Sequence, residues 1–162
     1  MKATTFSSFA FLLLAFPCRI MAQAPANDHF ASALVLAGAT ASATGNNTNA
    51  TLESGEVNPA GEGGASVWFS WTAPSTGWHT VHTSSNNPAN GLDTVIALFA
   101  GGSTVSNTVM LGHNDESARF PGDYPSAVYP GEFGPSRLVF QATAGTTYRI
   151  AVHGSSSATG PF

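Results

Sequence analysis

Acidic and amide side chains follow or precede apolar runs at two places in the sequence. Asp93 opens one apolar run, and Asn114 and Asp115 follow another. If both runs are strands that end at the same edge, oxygen ligands converge there, which suits Ca²⁺ better than zinc. The same side chains can instead cap turns by accepting backbone N–H groups. The sequence therefore predicts calcium as a cofactor, with turn capping as the alternative.

Aromatic side chains suggest a second kind of chemistry, the stacking of a ligand on flat rings. Tyr124, Tyr129 and Phe133 lie between prolines in one long connection, and Trp78 is a further candidate. Aromatic faces suit the C–H-rich faces of sugars and offer a large contact area on stiff side chains. We expect a binding surface for a glycan or a protein polymer. The alternative is that these aromatics hold the connection against the domain.

Catalytic motifs are absent from the sequence. There is no G-x-S-x-G nucleophile elbow and no H-E-x-x-H pair of zinc ligands. Carboxylate pairs such as Glu53 with Glu56, or Asp115 with Glu132, leave a small secreted hydrolase as an alternative. A zinc site from scattered histidines also stays open: His82, His113 and His153. We predict that the chain is not an enzyme.

The elements that position these residues are expected to be strands. Short β-branched and aromatic runs alternate with Gly, Asn, Ser and Pro, which is typical of an all-β sandwich or barrel. One helical turn is expected within residues 28–37, running into a strand. The predicted strands are 33–38, 48–53, 66–73, 77–83, 92–99, 105–112, 136–142 and 146–153.

Two tight connections and one long one join these predicted strands. Ser75–Gly77 links the third strand to the fourth, and Ala144–Gly145 is expected to close a hairpin between the last two. Residues 113–136 form the long connection, and connections of this length are usually functional or disordered. Its spaced aromatics favour an ordered loop.

The stretch SVWFSWTAP, residues 66–74, is the densest aromatic segment. Side chains alternate between the two faces of a strand, so Val67, Phe69 and Trp71 share one face, which we predict to be core. Trp68 lies on the other face among serines. We expect it to be covered by the N-terminal segment or by the long connection, with exposure to a sugar ring as the alternative.

The N-terminus predicts export. Lys2 and the apolar run Phe9–Phe16 have the form of a signal peptide, which we place at residues 1–22, leaving a domain at 23–162. The single cysteine, Cys18, lies inside that signal, so the mature chain has no disulfide. We expect secretion or attachment at the cell surface, without membrane insertion after cleavage.

The charge balance excludes one class of partner. Removal of the signal leaves three arginines against nine acidic residues, so the net charge falls from −4 to −6. Binding to nucleic acid needs clustered basic side chains to neutralise phosphates. We therefore expect no nucleic-acid partner.

The chain resembles the pre-peptidase C-terminal-like (PPC-like) domains of secreted bacterial proteins. The resemblance is carried, in order, by NDHFASALVLAG, NATLESGE, GGASVWFSWTAPSTG, LDTVIALFAG, HND and LVFQATAGTTYRIAVHG. It spans nearly all of the mature chain. It implies a jelly-roll-type antiparallel β-sandwich that acts as an accessory module beside other domains of the same polypeptide, with adhesion or substrate targeting as its role. A purely structural spacer is a further alternative.

The resemblance also implies details of the site and of the C-terminus. Asn27 and Asp28 match a motif start that lies near the ion in some calcium-binding relatives. In the family, a segment like AGTTYRIAVHG is followed by a closing strand of the form G-x-F-x-L, whereas this sequence ends at Gly160-Pro161-Phe162. The expectation is a fragment that lacks its final strand.

Overall fold

The structure, a computed structural model, describes residues 22–59, 64–84, 92–115 and 134–162. Seven strands lie in these ranges: β1 (Leu34–Leu36), β2 (Ser66–Thr72), β3 (Gly77–His82), β4 (Thr94–Ala100), β5 (Val109–Asn114), β6 (Arg137–Ala142) and β7 (Thr147–Gly154). Three single 3₁₀ turns accompany them, at Phe30–Ser32, Val105–Asn107 and Ser155–Ser157. None of the described segments is a helix long and apolar enough to span a membrane.

The strands form two sheets, which confirms the predicted all-β class. One sheet has five strands in the order β1-β2-β7-β4-β5, and the other consists of β3 and β6. All neighbouring pairs are antiparallel except β1 and β2, which run parallel. A parallel pair needs a long connection between its strands, and residues 37–65 provide one.

The main core lies between the two sheets. Val67, Phe69 and Trp71 of β2 point into it, as the alternation predicted. The other contributors come from both sheets and from the chain around them: Ala73, Ile96, Leu98, Ala142, Tyr148, Ile150 and Val152, with Val81, Leu138 and Phe140 packed against them. Burial of these apolar surfaces is the principal force that holds the two sheets face to face.

The outer face of the five-stranded sheet is covered by a second, smaller core. Trp68 lies at its centre, fully buried against Phe30, Phe99, Ala97 and Ala151. The Phe30 and Trp68 rings meet edge to face with centroids 5.2 Å apart. Trp68 is thus covered by the N-terminal segment, which was one of the two predicted covers.

The predicted hairpin between β6 and β7 is wrong. β6 pairs with β3, and β7 pairs with β2 and β4, so the turn at residues 143–146 crosses from one sheet to the other. Gly145 has a φ of 78°, which favours glycine, and the Tyr148 hydroxyl accepts the Thr143 N–H at 2.9 Å. The β2–β3 connection crosses in the same way, and Ala73 exchanges backbone hydrogen bonds with Thr146 and Gly145.

Two other predicted strands differ from the structure. Residues 48–53 do not form a strand: a turn at Thr48–Asn49 is followed by irregular chain, because Asn49 has a φ of 62° that interrupts an extended conformation. The strand predicted at 105–112 begins at Val109. A 3₁₀ turn precedes it, held by reciprocal hydrogen bonds between Thr104 and Asn107.

Asn47 joins three separated parts of the chain. Its buried side chain donates to the carbonyls of Ala65 and Ala158, at 3.4 and 3.0 Å, and accepts the Gly160 N–H at 2.8 Å. Beside it, residues 45–47 pair with residues 160–162, and the Phe162 ring lies where a Cβ on Gly45 would stand. Asn47 therefore secures the described C-terminal residues to the sandwich.

We expect Asn47→Ala to lower the free energy of unfolding by about 2–3 kcal/mol, because it leaves buried backbone groups without partners. The measurement is urea unfolding followed by fluorescence. The control is Asn46→Ala, since Asn46 is exposed and contacts the neighbouring Thr48 N–H in the same turn. Equal losses in the two variants would contradict a special role for Asn47.

Candidate functional site

The candidate ligand surface is the outward face of the two-stranded sheet. We call it the β3–β6 face. Cross-strand pairs on this face bring Trp78 opposite Gln141, Thr80 opposite Val139, and His82 opposite Arg137. It therefore combines an exposed indole ring, hydrogen-bonding groups and one cation: Trp78, Thr80, His82, Arg137, Val139 and Gln141.

The alternation of β3 explains why Trp78 points outward. Its neighbours His79 and Val81 face the core, where the His79 ring lies 4.9 Å from the Trp71 ring. On β6, Leu138 and Phe140 face inward in the same way, and the Phe140 and Tyr148 ring centroids are 5.2 Å apart. Because side chains alternate along a strand, the inward packing of these residues on β3 and β6 directs their neighbours, including Trp78, to the outer face.

The three tryptophans have different environments. Trp68 is 0% exposed and Trp71 8%, whereas Trp78 is 73% exposed. The Trp71 indole N–H donates to the Gly38 carbonyl at 2.8 Å, as expected of a buried structural residue. Trp78 has no comparable burial, so its ring face is accessible to a ligand. The other predicted stacking residues, Tyr124, Tyr129 and Phe133, lie outside the described residues.

Three residues predicted to bind a metal contact one short segment, residues 134–137: Asp93 and Asn114 through their side chains, and Asp115 through its backbone carbonyl. Gly134 donates its N–H to Asp93 Oδ1 at 3.0 Å, and Arg137 donates its N–H to Asn114 Oδ1 at 3.3 Å. The Asp115 carbonyl accepts from the hydroxyl of the same segment's Ser136 at 3.0 Å. The Asp93 and Asn114 side chains therefore bind backbone amides at this junction.

A buried hydroxyl cluster underlies this junction. The Thr83 and Thr94 hydroxyls are 2.6 Å apart, and Ser136 donates its N–H to Thr83 Oγ1 at 2.9 Å. The Ser136 hydroxyl lies 3.2 Å from Thr94 Oγ1. Because these residues follow β3, open β4 and precede β6, the cluster ties together strands from both sheets. Serines and threonines are too common in this sequence for the cluster to stand out from spacing alone.

Asn27 and Asp28 lie on the N-terminal segment. Asn27 exchanges hydrogen bonds with the backbone of Trp68, at 3.0 and 2.8 Å. Asp28 is buried and accepts both the N–H and the hydroxyl of Thr51, at 2.6 and 2.8 Å. These contacts bind the segment to β2 and to the turns that follow β1.

Within the described ranges, no three His, Cys, Asp or Glu side chains are placed to hold a metal ion together. The alternative of a zinc site from His82, His113 and His153 is therefore wrong. His153 is fully buried, whereas His82 and His113 are exposed. For calcium, the junction of β4, β5 and β6 offers carboxylate, amide, hydroxyl and carbonyl oxygens, and this donor chemistry fits the ion.

Glu56, Ser66 and His153 form a buried polar cluster that no sequence spacing indicated. The Ser66 hydroxyl donates to Glu56 Oε1, and Oε2 accepts the Glu53 N–H at 3.0 Å. His153 Nε2 lies 4.0 Å from Glu56 Oε1, and both side chains are 0% exposed. Sequence analysis singled out Glu53 with Glu56 as a carboxylate pair, but it had no signal for the imidazole on β7.

Burial perturbs both ionisable groups of this cluster. Loss of solvation raises the pKa of Glu56 above its ordinary 4.5, and the nearby carboxylates of Glu53 and Asp28 act in the same direction. The hydrogen bonds from Ser66 and Glu53 oppose this shift of the Glu56 pKa. Loss of solvation also lowers the pKa of His153 below 6.5, against the effect of its hydrogen bond to the Gly64 carbonyl. Both groups therefore favour their neutral forms.

Comparison with known proteins gives no relative for this chain. No protein-family model, no curated protein and no solved structure matches it.

We expect Thr94→Val to lower the free energy of unfolding by about 1–3 kcal/mol, because valine keeps the shape but leaves the Thr83 and Ser136 groups short of a partner. The matched control is Thr80→Val on the β3–β6 face, where the hydroxyl is exposed and the change should stay within about 0.5 kcal/mol. Chemical denaturation measures both. A larger loss at Thr80 would contradict the anchoring role of the hydroxyl cluster.

Proposed function

We propose that this chain is a non-catalytic binding module of a larger exported protein, which adheres to or targets a polymeric glycan or protein substrate. The proposal includes a PPC-like jelly roll, a secreted or cell-surface location and structural calcium. Its ligand surface is the β3–β6 face with Trp78 at the centre. The observation that carries it is the exposure of Trp78 on a face whose opposite side packs against the main core.

The exposed indole ring of Trp78 contributes little to the stability of the fold. Most of the Trp78 surface stays in water, although burial of a large aromatic side chain stabilises a protein by several kcal/mol at most sites. Its neighbours Gln141, Thr80 and Val139 offer one amide, one hydroxyl and one apolar contact. A ring flanked by neutral donors and acceptors suits a sugar or a polar polymer surface better than an ion.

The positions of the acidic residues favour binding over hydrolysis. Asp28, Glu53 and Glu56 accept backbone or hydroxyl hydrogen bonds and hold the N-terminal segment and its following turns in place. Glycoside hydrolysis needs two carboxyl groups that flank an accessible bond. The Glu56 side chain is wholly buried, so the pair Glu53–Glu56 does not meet that requirement.

We expect Trp78→Ala to weaken binding at least about tenfold, because truncation of an aromatic anchor typically removes about 2 kcal/mol or more of binding free energy. The measurement is binding of the purified domain to immobilised polysaccharides and to collagen. Since Trp68 and Trp71 are buried, a bound ligand should also shift the fluorescence attributable to Trp78. The control is Val35→Ala, at an equally exposed position on β1.

If Trp78→Ala and Val35→Ala weaken binding equally, or if Trp78→Ala leaves binding unchanged, the β3–β6 face is not the ligand surface. Hydrolysis of a chromogenic glycoside or peptide by the purified domain, abolished by Glu132→Gln, would support the hydrolase instead. Absence of binding to every polymer tested would leave the spacer role.

Calcium should raise the melting temperature of chelated protein at about millimolar concentration, because a ligand selective for the folded state stabilises it. We expect Asp93→Asn to lose this rise, since it removes a charged ligand but keeps an oxygen for the Gly134 N–H. The measurement is differential scanning fluorimetry with magnesium as the control ion. If calcium raises the melting temperature of Asp93→Asn as much as that of the parent, the ion binds at another site. If calcium does not raise the melting temperature of the parent, the protein has no structural calcium.

A further inference from the structure

The buried pair of Glu56 and His153 contains a conflict between two acceptors. His153 Nδ1 lies 3.1 Å from the Gly64 carbonyl, which can only accept, so the ring proton must be on Nδ1. The neutral ring then presents a lone pair at Nε2. That atom has no hydrogen-bond partner among the described residues, and it lies 4.0 Å from Glu56 Oε1.

An ionised Glu56 would place a negative oxygen opposite this lone pair in a site that water does not reach. Isolated buried charges and unpaired buried acceptors are both costly. One additional proton removes both costs, because it makes the pair neutral and turns two facing acceptors into a donor and an acceptor. A closure of about 1 Å would bring the two atoms into hydrogen-bond distance.

We propose that Glu56 and His153 share one proton in the native state, and that this proton acts as a pH-sensitive latch. The latch joins the turn at residues 53–56 to β2 and β7 of the five-stranded sheet. It goes beyond the binding role, since it concerns how the fold responds to its surroundings and does not involve the β3–β6 face.

The groups around the pair favour a neutral carboxyl. Glu53 in the same turn and Asp28 on the N-terminal segment are both acidic, and His29 lies beyond them, 3.5 Å from Glu53 Oε1 and 3.9 Å from Asp28 Oδ2. From β2, Ser66 contributes a neutral hydroxyl. From β4, the register partner of His153 is Val95, which is apolar and fully buried. No cation among these neighbours contacts Glu56.

The two pKa shifts make the stability contribution of the pair depend on pH in opposite directions. As the pH rises above 4.5, an unfolded chain releases the Glu56 proton while the native protein keeps it, so the raised pKa makes stability fall until the native carboxyl ionises. As the pH falls below 6.5, an unfolded chain protonates His153 while the native protein resists, so the lowered pKa makes stability fall in that direction. The Glu56 shift therefore lowers stability above pH 4.5 and the His153 shift lowers it below pH 6.5, so the two effects oppose each other wherever both groups titrate.

Loss of the shared proton should loosen the cover over Trp68. Glu56 Oε2 holds the Glu53 N–H, and Glu53 in turn accepts the Phe30 N–H at 2.5 Å. Phe30 is the ring that packs edge to face on Trp68. The pair is thus connected to the core around Trp68 through the turn at residues 53–56 and the Glu53 carboxylate.

The test is Glu56→Gln, which keeps the shape, can keep its amide oxygen on the Glu53 N–H, and offers an N–H to His153 at every pH. We expect the ratio of the variant's folding constant to that of the parent to rise with pH from 4.5 by up to about tenfold per unit, and to level off when native Glu56 ionises. Glu53→Gln, which removes a charge from the same turn, is the control for general charge effects. A ratio that is independent of pH, or that equals that of the control, overturns the proposal.

A second measurement needs no variant at the pair itself. Nitrogen NMR of His153 at neutral pH should show a proton on Nδ1, and infrared spectra should contain the band of a buried neutral carboxyl. Exchange of the Glu53 amide proton, after correction for intrinsic rates, should quicken as the pH rises through the ionisation of native Glu56. A proton on Nε2 alone, with an ionised Glu56 throughout, contradicts a shared proton.

Discussion

Burial of β2 on both of its faces is the constraint on which the rest of the structure depends. Every residue from Ser66 to Trp71 is buried, although a strand in a two-sheet fold needs only one covered face. Trp68 points away from the main core, so the chain must supply a second layer, and residues 27–33 provide it. That layer has few apolar residues of its own. It is held instead by directed polar contacts: Asn27 to Trp68, Glu53 to Phe30, and Asp28 to Thr51.

Crossings between the sheets determine what the opposite side of the molecule presents. The two connections at residues 73–76 and 143–146 lie side by side and carry the chain from β2 to β3 and from β6 to β7. β3 and β6 are thereby paired with each other over the core. Their inner residues, such as Val81 and Phe140, face Trp71 and Tyr148. The outer residues are left in solvent, and this is how Trp78 comes to be exposed.

The alternation of apolar and polar residues predicted most strand positions and the faces of their side chains. It did not predict which strands pair with each other. The faces of Val67, Phe69 and Trp71 and the bounds of β2, β3, β6 and β7 agree with the sequence to within two residues. Ala144–Gly145 has the composition of a hairpin turn, yet it joins different sheets, because tertiary packing and not turn chemistry decides the partner strand. The strand predicted at 48–53 fails for a local reason, since Asn49 adopts a left-handed conformation that sequence only weakly suggests. Asp93 and Asn114 reach the same segment, residues 134–137, because each lies at an end of a strand, and strand ends can be read from local patterns. The contact of Glu56 with His153 cannot be read in this way, because the two residues are far apart in the chain and no motif links them.

The distribution of polar groups links the fold to the proposed role. Asp28, Asp93 and His153 form hydrogen bonds with backbone groups of distant segments, and so they hold those segments in place instead of facing a shared cleft. A sandwich with no disulfide and a thin N-terminal cover needs these contacts for its own stability. The surface that remains for a partner is then the one that does not contribute to the core, and on the β3–β6 face it consists of the Trp78 ring beside neutral polar groups, with the Arg137 cation at the far end. A flat sheet face of this kind suits an extended polymer better than a small substrate, because small molecules bind in concave sites that bury most of their surface.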